Sequence, residues 1–166
     1  MKDLFGKAIL DYQTNNLPED LITETSISEA DEMSVSYLFR TYNEMPKLEQ
    51  KALQLAKGKV LDVGCGAGSH ALYLQEKGFN VTAIDISENA IKTCKLRGLK
   101  NAKAQDLMTF ENDKFDTIIV LMNGPGICGK LKNLPKFLLK LKSLLNDSGQ
   151  ILIDSSDIIY MFDEDE

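Results

Sequence analysis

The chain has 166 residues, 43% of them hydrophobic and 27% charged, with three cysteines and a formal net charge of −6. That length suits one domain with a sizeable core, and the composition is that of an ordinary soluble globular protein. With no apolar run of membrane-spanning length, no signal-peptide pattern and an odd number of scattered cysteines, a cytoplasmic protein is expected. The acidic balance and the spread of lysines along the chain argue against nucleic acid held through its phosphates, and favour small-molecule or protein partners.

Leu4, Phe5, Ala8, Ile9 and Tyr12 fall on one face at helical spacing, so Asp3 to Tyr12 reads as a short amphipathic helix. Thr14 to Pro18 is a turn, and Glu19 to Met33 reads as acidic loop with a helical turn. Val35 to Tyr42 is rich in aromatics. Pro46 to Ala56 predicts a helix, with proline in the first turn, Leu48, Ala52 and Leu55 on one stripe and Gly58 past its end. Lys59 to Val63 is a short apolar run suited to a buried parallel strand. Gly64, Gly66 and Gly68 interrupt it at alternate positions, and a helix resumes through Ala71, Leu72 and Leu74 until Gly78.

A second strand, Asn80 to Asp85, ends on a carboxylate, and Ser87 is placed to cap a helix from Glu88 to Arg97. Asn101 to Gln105 reads as a short third strand. Phe115 to Met122 is nearly continuous and apolar, as a central parallel strand should be, and the glycine- and proline-rich run Asn123 to Gly129 follows it. Leu134, Phe137, Leu138, Leu141, Leu144 and Leu145 mark a core-facing helix closed by Asn146 to Gly149, before a fifth strand at Gln150 to Asp154. Only the tail, Asp163 to Glu166, is compositionally biased. Alternating strands and helices predict an α/β fold built on a parallel sheet with right-handed crossovers.

The glycine loop lets the chain turn tightly and leaves backbone N–H groups open to a ligand. Its spacing is G-x-G-x-G with Asp62 two residues ahead, unlike the G-x-G-x-x-G of dinucleotide enzymes. Asp85 lies at the end of the second strand, where a carboxylate can accept both hydrogens of a ribose diol, and Asp106 and Leu107 follow the third. Asp62-Val-Gly-Cys-Gly-Ala-Gly68, Asp85 and Asp106, in this order and spacing, resemble the motifs of class I S-adenosylmethionine-dependent methyltransferases over roughly 47–154.

The resemblance implies a Rossmann-like sheet in strand order 3-2-1-4-5 with helices on both faces, and S-adenosylmethionine bound at the carboxyl ends of strands 1 and 4. It places Asp62, Gly64, Cys65, Gly66 and Gly68 along the ribose and methionine portion, Asp85 at the ribose hydroxyls and Ile86 against adenine. Asp106 would accept from the adenine amine and the Leu107 N–H would meet a ring nitrogen, with Asn123 near the ammonium and the departing methyl. Residues 1–45 would form a helical lid, with Tyr37, Arg40 and Tyr42 as candidates to touch the methionine end or the acceptor. Residues 46–154 would form the cofactor-binding core and 155–166 an acidic end.

The activity implied is methyl transfer to a small-molecule acceptor. The alternatives are a non-catalytic S-adenosylmethionine-binding module and an NAD(P)-dependent oxidoreductase, whose fingerprint is missing. No metal is expected, because Cys65 and His70 alone do not make a zinc site. Cys65 and Cys94 read as packing residues. Cys128 follows the fourth strand, where cytosine-C5 methyltransferases keep a nucleophile beside proline, but no charge partner is visible to activate it. His70, the single histidine, is open to a base role, against which the positive end of its helix disfavours the protonated ring. Asn123-Gly-Pro-Gly126 replaces the [N/D]-P-P-[Y/F] signature of amino-group methyltransferases, so no acceptor atom is identified. Positioning and desolvation can carry much of such a transfer without a dedicated base. Members of this family usually continue into strands 6 and 7. Only 154–166 follow Ile153, so those strands are expected to be missing or truncated: either the chain is a fragment of a longer protein, the favoured reading, or strand 5 is a true edge, open to self-association or covered by a fold-back of Ile158 to Phe162.

Overall fold

A computed structural model describes residues 3–24 and 29–157; the expected fold-back of Ile158 to Phe162 and the acidic tail lie outside the described residues. The first helix, α1 (Leu4–Thr14), starts at Asp3, whose side chain accepts the Gly6 N–H at 2.9 Å, and stops at Asn15 in the left-handed region. Two short strands follow, β1 (Leu21–Thr23) and β2 (Asp31–Met33), paired antiparallel where the sequence predicts loop and a helical turn. Their residues are mostly exposed, so no buried alternation marks them. Single-turn 3-10 segments at Val35–Phe39 and Tyr42–Glu44 lead into α2 (Lys47–Leu55).

The main sheet begins with β3 (Lys59–Val63), followed by α3 (Ser69–Glu76), β4 (Asn80–Asp85), α4 (Glu88–Leu96) and β5 (Ala102–Ala104). β6 (Phe115–Val120), α5 (Leu134–Ser143) and β7 (Leu145–Ile153) complete it. All its pairings are parallel, in the order β5-β4-β3-β6-β7.

This corrects the expected strand set, 3-2-1-4-5 with strands 6 and 7 missing or truncated. Among the described residues the chain has seven strands, and its sixth and seventh both lie in the sheet. The offset of two in the numbering is the β1–β2 hairpin. The last strand is also longer than its apolar run: Leu145 already pairs with Phe115, and pairing resumes at Gln150 with Thr117 after an irregularity. Asn146 to Gly149 is therefore a bulge inside β7 rather than a turn before it. Ser148 takes a positive φ of 64° there, Asn146 Nδ2 donates to Asp116 Oδ1 at 2.8 Å, and Lys57 Nζ reaches the Ser148 carbonyl.

The sheet is buried because its strands alternate between two apolar layers. Val60, Val81, Ala83 and Ile119 face a layer with Leu53, Ala71, Leu74 and Cys94 from α2, α3 and α4. Leu61, Ile84, Phe115 and Ile118 face Phe137, Leu141 and Leu144 on the α5 side. Each large side chain buried in this way contributes about 1.5–3 kcal/mol.

One residue of β3 breaks the apolar pattern. Asp62 is 2% exposed, accepts the Ala71 N–H and has no partner for its Oδ2 among the described residues. Burial raises its carboxyl from 3.8 to about 6, against the pull of His70 and the Ala71 N–H and with a push from Asp85. The folded protein therefore holds this proton over a range where the unfolded chain has lost it. Asp62 stabilises least above pH 6, and stability falls as pH rises from about 3.8 through about 6. We expect Asp62→Asn to remove that fall. Urea unfolding of both proteins should show the wild type losing on the order of 2–3 kcal/mol relative to the variant between pH 4 and 7. A difference that stays constant across that range would show that Asp62 does not titrate in this way.

Candidate functional site

The carboxyl ends of β3, β4 and β6 meet on one rim, and the glycine loop after β3 is tied down there. The N–H groups of Gly64 and Cys65 both donate to the Ile84 carbonyl at the end of β4, at 2.9 and 3.1 Å. Asp85 continues the fastening. Its Oδ2 accepts the Gly66 N–H and its Oδ1 the Ser87 N–H, both at 2.9 Å, while Ser87 caps α4 through the Ala90 N–H. A carboxylate has about four lone-pair sites, so the half-buried Asp85 keeps acceptor capacity toward the cleft after these two bonds.

The glycines serve different ends. A Cβ on Gly66, where φ is 52°, would meet only Phe5 Cε1, in ordinary contact at 3.9 Å, so no clash with the protein requires glycine there. A Cβ on Gly64 would lie 2.8 Å from Ile127 Cδ1, and one on Gly68 would lie 2.9 Å from Cys94 Sγ. Gly68 therefore allows the loop to pack on α4. Cys65 does the same from its side, with its Sγ 3.8 Å from that of Cys94. The Cys94 contact and burial push the Cys65 thiol up, the opposite of an activated nucleophile.

Two cavities open on this rim and share Gly64 and Ile127. The first, about 640 Å³, is lined by Asp85, Ile86, Asp106, Leu107 and Phe137 among others. Ile86 is 75% exposed, Leu107 is buried, and Asp106 is exposed and caps the turn Leu107–Thr109 by accepting the Met108 N–H at 2.8 Å. Cys128 also lines this cavity, with its thiol set toward the Lys130 carbonyl. The second cavity, about 620 Å³, is lined by Gly66, Tyr37, Arg40, Glu49, His70 and Asn123 among others. Its far wall is strained: Met122 and Asn123 both have positive φ, 63° and 61°. Residues held there cost of order 1–3 kcal/mol each. Asp154 steadies them, accepting the N–H groups of Met122, Asn123 and Gly124 at 3.1, 2.8 and 3.5 Å, and Asn123 Oδ1 accepts the Ser156 N–H at 2.7 Å.

The rim thus brings together Gly64, Cys65, Gly66, Asp85, Ile86, Asp106, Leu107, Asn123, Tyr37 and Arg40. Asp62, Gly68 and Tyr42 line neither cavity. Tyr42 stacks on Tyr73 at 4.1 Å between ring centres and accepts a hydrogen bond from Gln54. Among the described residues, no group of three or more His, Cys, Asp or Glu side chains is placed to hold a metal, and no helix is long and apolar enough to cross a membrane.

Glu49 in the second cavity is not singled out by the sequence, and nothing there pairs it with His70, the single histidine. Glu49 lies on α2 and His70 on α3, 21 positions apart. In the structure His70 Nε2 is 2.8 Å from Glu49 Oε2, which also accepts Arg40 Nη2 at 2.5 Å. All three are buried, at 8%, 5% and 6% exposure. Burial pushes the Glu49 carboxyl up, but the hydrogen bonds and charges of His70 and Arg40 together hold it below its ordinary value.

The arrangement fits a ligand with a nucleoside at one end and a polar chain at the other. The first cavity has the Asp85 carboxylate and an apolar wall, the second has ionic groups, and Gly66 borders the second.

Known proteins agree with this geometry. A family described as Methyltransferase domain matches residues 36–160. A ubiquinone biosynthesis O-methyltransferase from Rickettsia typhi is 33% identical over 106 residues, covering 61% of this chain and 42% of that protein. Its counterpart from Rickettsia prowazekii is 28% identical over 114 residues, covering 66% and 44%. The chain thus spans less than half the length of these curated relatives. The crystal structure of a SAM-dependent methyltransferase from Bacteroides fragilis, in complex with S-adenosyl-L-homocysteine, superposes with a TM-score of 0.91 at 48% identity, over 99% of this chain and 69% of that one. A family match over three quarters of the chain and near-complete superposition at this identity settle its membership: the chain belongs to the class I S-adenosylmethionine-dependent methyltransferases.

Proposed function

We propose that the chain binds S-adenosylmethionine across the two cavities and transfers its methyl group to a small-molecule acceptor in the second. The observation that carries this reading is the junction at Gly64, where a nucleoside-sized cavity meets an ionic one beside the open backbone of Gly66. When bound, the cofactor supplies a methyl group already activated by a positively charged sulfur. In this reading Asp85 accepts the ribose hydroxyls with the capacity left by Gly66 and Ser87. Ile86 and Leu107 flank the adenine and Asp106 accepts from its amine. Asn123 meets the methionine ammonium, and Tyr37 and Arg40 close the methionine and acceptor side.

The names of the Rickettsia relatives support an O-methylated small molecule as acceptor, and the acidic surface, with a net charge of −6, supports a small molecule over nucleic acid. A cytoplasmic location belongs to the same reading.

Calorimetry with S-adenosylhomocysteine tests the cofactor half. The wild type should bind it and not NAD. Asp85→Ala should bind about 10- to 150-fold more weakly, equivalent to roughly 1.5–3 kcal/mol for a lost charge-assisted acceptor. Asp85→Asn, which keeps an oxygen for the Gly66 N–H, should lose less. Equal affinities for all three proteins would place the ribose elsewhere. Gly66→Val should abolish binding, because its side chain would enter the cleft and a β-branched residue strains the loop at a φ of 52°.

The transfer half needs turnover of methyl-labelled cofactor across a panel of phenols, catechols, amines and thiols. Incorporation into any of them supports an enzyme, whereas tight cofactor binding with no incorporation across the panel would favour the non-catalytic module.

A further inference from the structure

Methyl transfer to a neutral hydroxyl or amine releases a proton, and the second cavity contains one side chain suited to receive it. Resting on the methyltransferase reading above, we propose that His70 is the proton acceptor for a protic acceptor, a hydroxyl or amine, with Glu49 and Arg40 as its positioning residues.

The geometry assigns the roles. Glu49 Oε2 is 2.8 Å from His70 Nε2, and Glu49 is itself fixed by Arg40 Nη2 at 2.5 Å. Arg40 is held in turn by donation from Nη1 to the Tyr37 carbonyl at 2.8 Å and by stacking on the Tyr37 ring at 4.2 Å. A carboxylate accepts only, so Nε2 must carry the hydrogen and the neutral ring must present Nδ1 as a lone pair. Nδ1 makes no hydrogen bond among the described residues, and the ring lines the same cavity as Gly66 and Asn123.

Other candidates in the cavity are already engaged. Both Asp154 oxygens accept backbone N–H groups, and Cys65 is a buried packing thiol. The charged groups around His70 are Glu49 on α2, Arg40 after the 3-10 turn Val35–Phe39, Asp62 on β3, and Arg97 on α4, which contacts the neighbouring Ser69 Oγ at 3.3 Å.

The step balances. His70 takes the proton at Nδ1 as the acceptor oxygen or nitrogen forms its bond to the methyl carbon, and the electron pair of the broken carbon–sulfur bond stays on sulfur. One positive charge leaves the sulfur and one appears on the imidazole. The cavity therefore keeps its net charge through the reaction, which avoids creating a new charge in a poorly solvated space.

His70 is the single histidine in the sequence, so its nuclear magnetic resonance signals need no assignment. With ¹⁵N-labelled histidine, the free protein should show the Nε2–H tautomer at neutral pH. Glu49→Gln, which keeps a hydrogen-bonding side chain of the same shape, should lower the imidazole titration midpoint by about one pH unit. In the wild type, S-adenosylmethionine should lower that midpoint further than S-adenosylhomocysteine does, because only the former carries the sulfonium charge. An Nδ1–H tautomer, a midpoint unmoved by Glu49→Gln, or equal midpoints with the two ligands would each overturn the proposal. If calorimetry shows that neither ligand binds, the cofactor reading fails instead, and the tautomer and Glu49→Gln results still judge the His70–Glu49 pairing in the free protein.

Discussion

The Asp85 carboxylate is the fastening on which the site depends. It joins the end of β4, the middle of the glycine loop and the first turn of α4 through two backbone hydrogen bonds of 2.9 Å. The loop cannot hold itself, since Gly64, Gly66 and Gly68 carry no side chains and each has a positive φ. Without an external acceptor the Gly66 N–H would be unsatisfied and the loop free to sample other shapes. Asp3 extends the same knot by accepting the Ser87 hydroxyl at 2.6 Å, which brings α1 and Phe5 over the loop. Arg97 closes it from the other side, donating to the Ala67 carbonyl at 2.6 Å and stacking on Phe39. A ligand at Gly66 therefore meets a backbone whose shape is set before it arrives.

Around that fastening the structure tolerates buried charge that folding alone would not favour. Asp62 has an oxygen with no partner among the described residues, and the Arg40–Glu49–His70 group places three ionisable side chains almost out of water. Such groups cost free energy on desolvation, and well-packed apolar side chains of similar size are often no less stable. The position of Arg40, Glu49 and His70 beside the second cavity gives that cost a use, because preorganised charges act most strongly where water is scarce. Arg40 Nε belongs to the same picture: a buried donor with no partner among the described residues suits a cavity that a ligand fills.

The sequence made the central strands legible because both faces of β3 and β6 are buried, so their residues read as apolar runs. The glycine spacing and the carboxylate ending β4 were legible because they are local. What escaped reading was either exposed or distant. Leu21–Thr23 and Asp31–Met33 pair with each other yet bury little, so no alternation betrays them. Asn146 to Gly149 has turn composition, but parallel pairing with β6 carries the strand through it as a bulge. Gly68 and Gly66 look equivalent in sequence, and only the approach of Cys94 marks Gly68 as a packing position. Glu49 and His70 belong to different helices, and no spacing rule relates them.

The division of the rim into two cavities has a consequence for how such a fold diversifies. The first cavity is built from β4, the segment after β5 and the turn after β6, all within the motif-bearing core. The other side draws Tyr37, Arg40 and Glu49 from the segment before β3, and Asp154 to Ser156 from the segment after β7. Tyr37, Arg40, Glu49 and Asp154 to Ser156 lie outside the paired strands, so side-chain changes at these positions can reshape the wall of the second cavity while Asp85 keeps its bonds to Gly66 and Ser87. Function then resides in what is grafted onto the rim rather than in the sheet beneath it. The strained pair Met122 and Asn123 sits where the two regions meet, held by Asp154 from the far end of β7. A change in the segment after β7 would thus be felt first at Asn123, through a hydrogen bond rather than through the core.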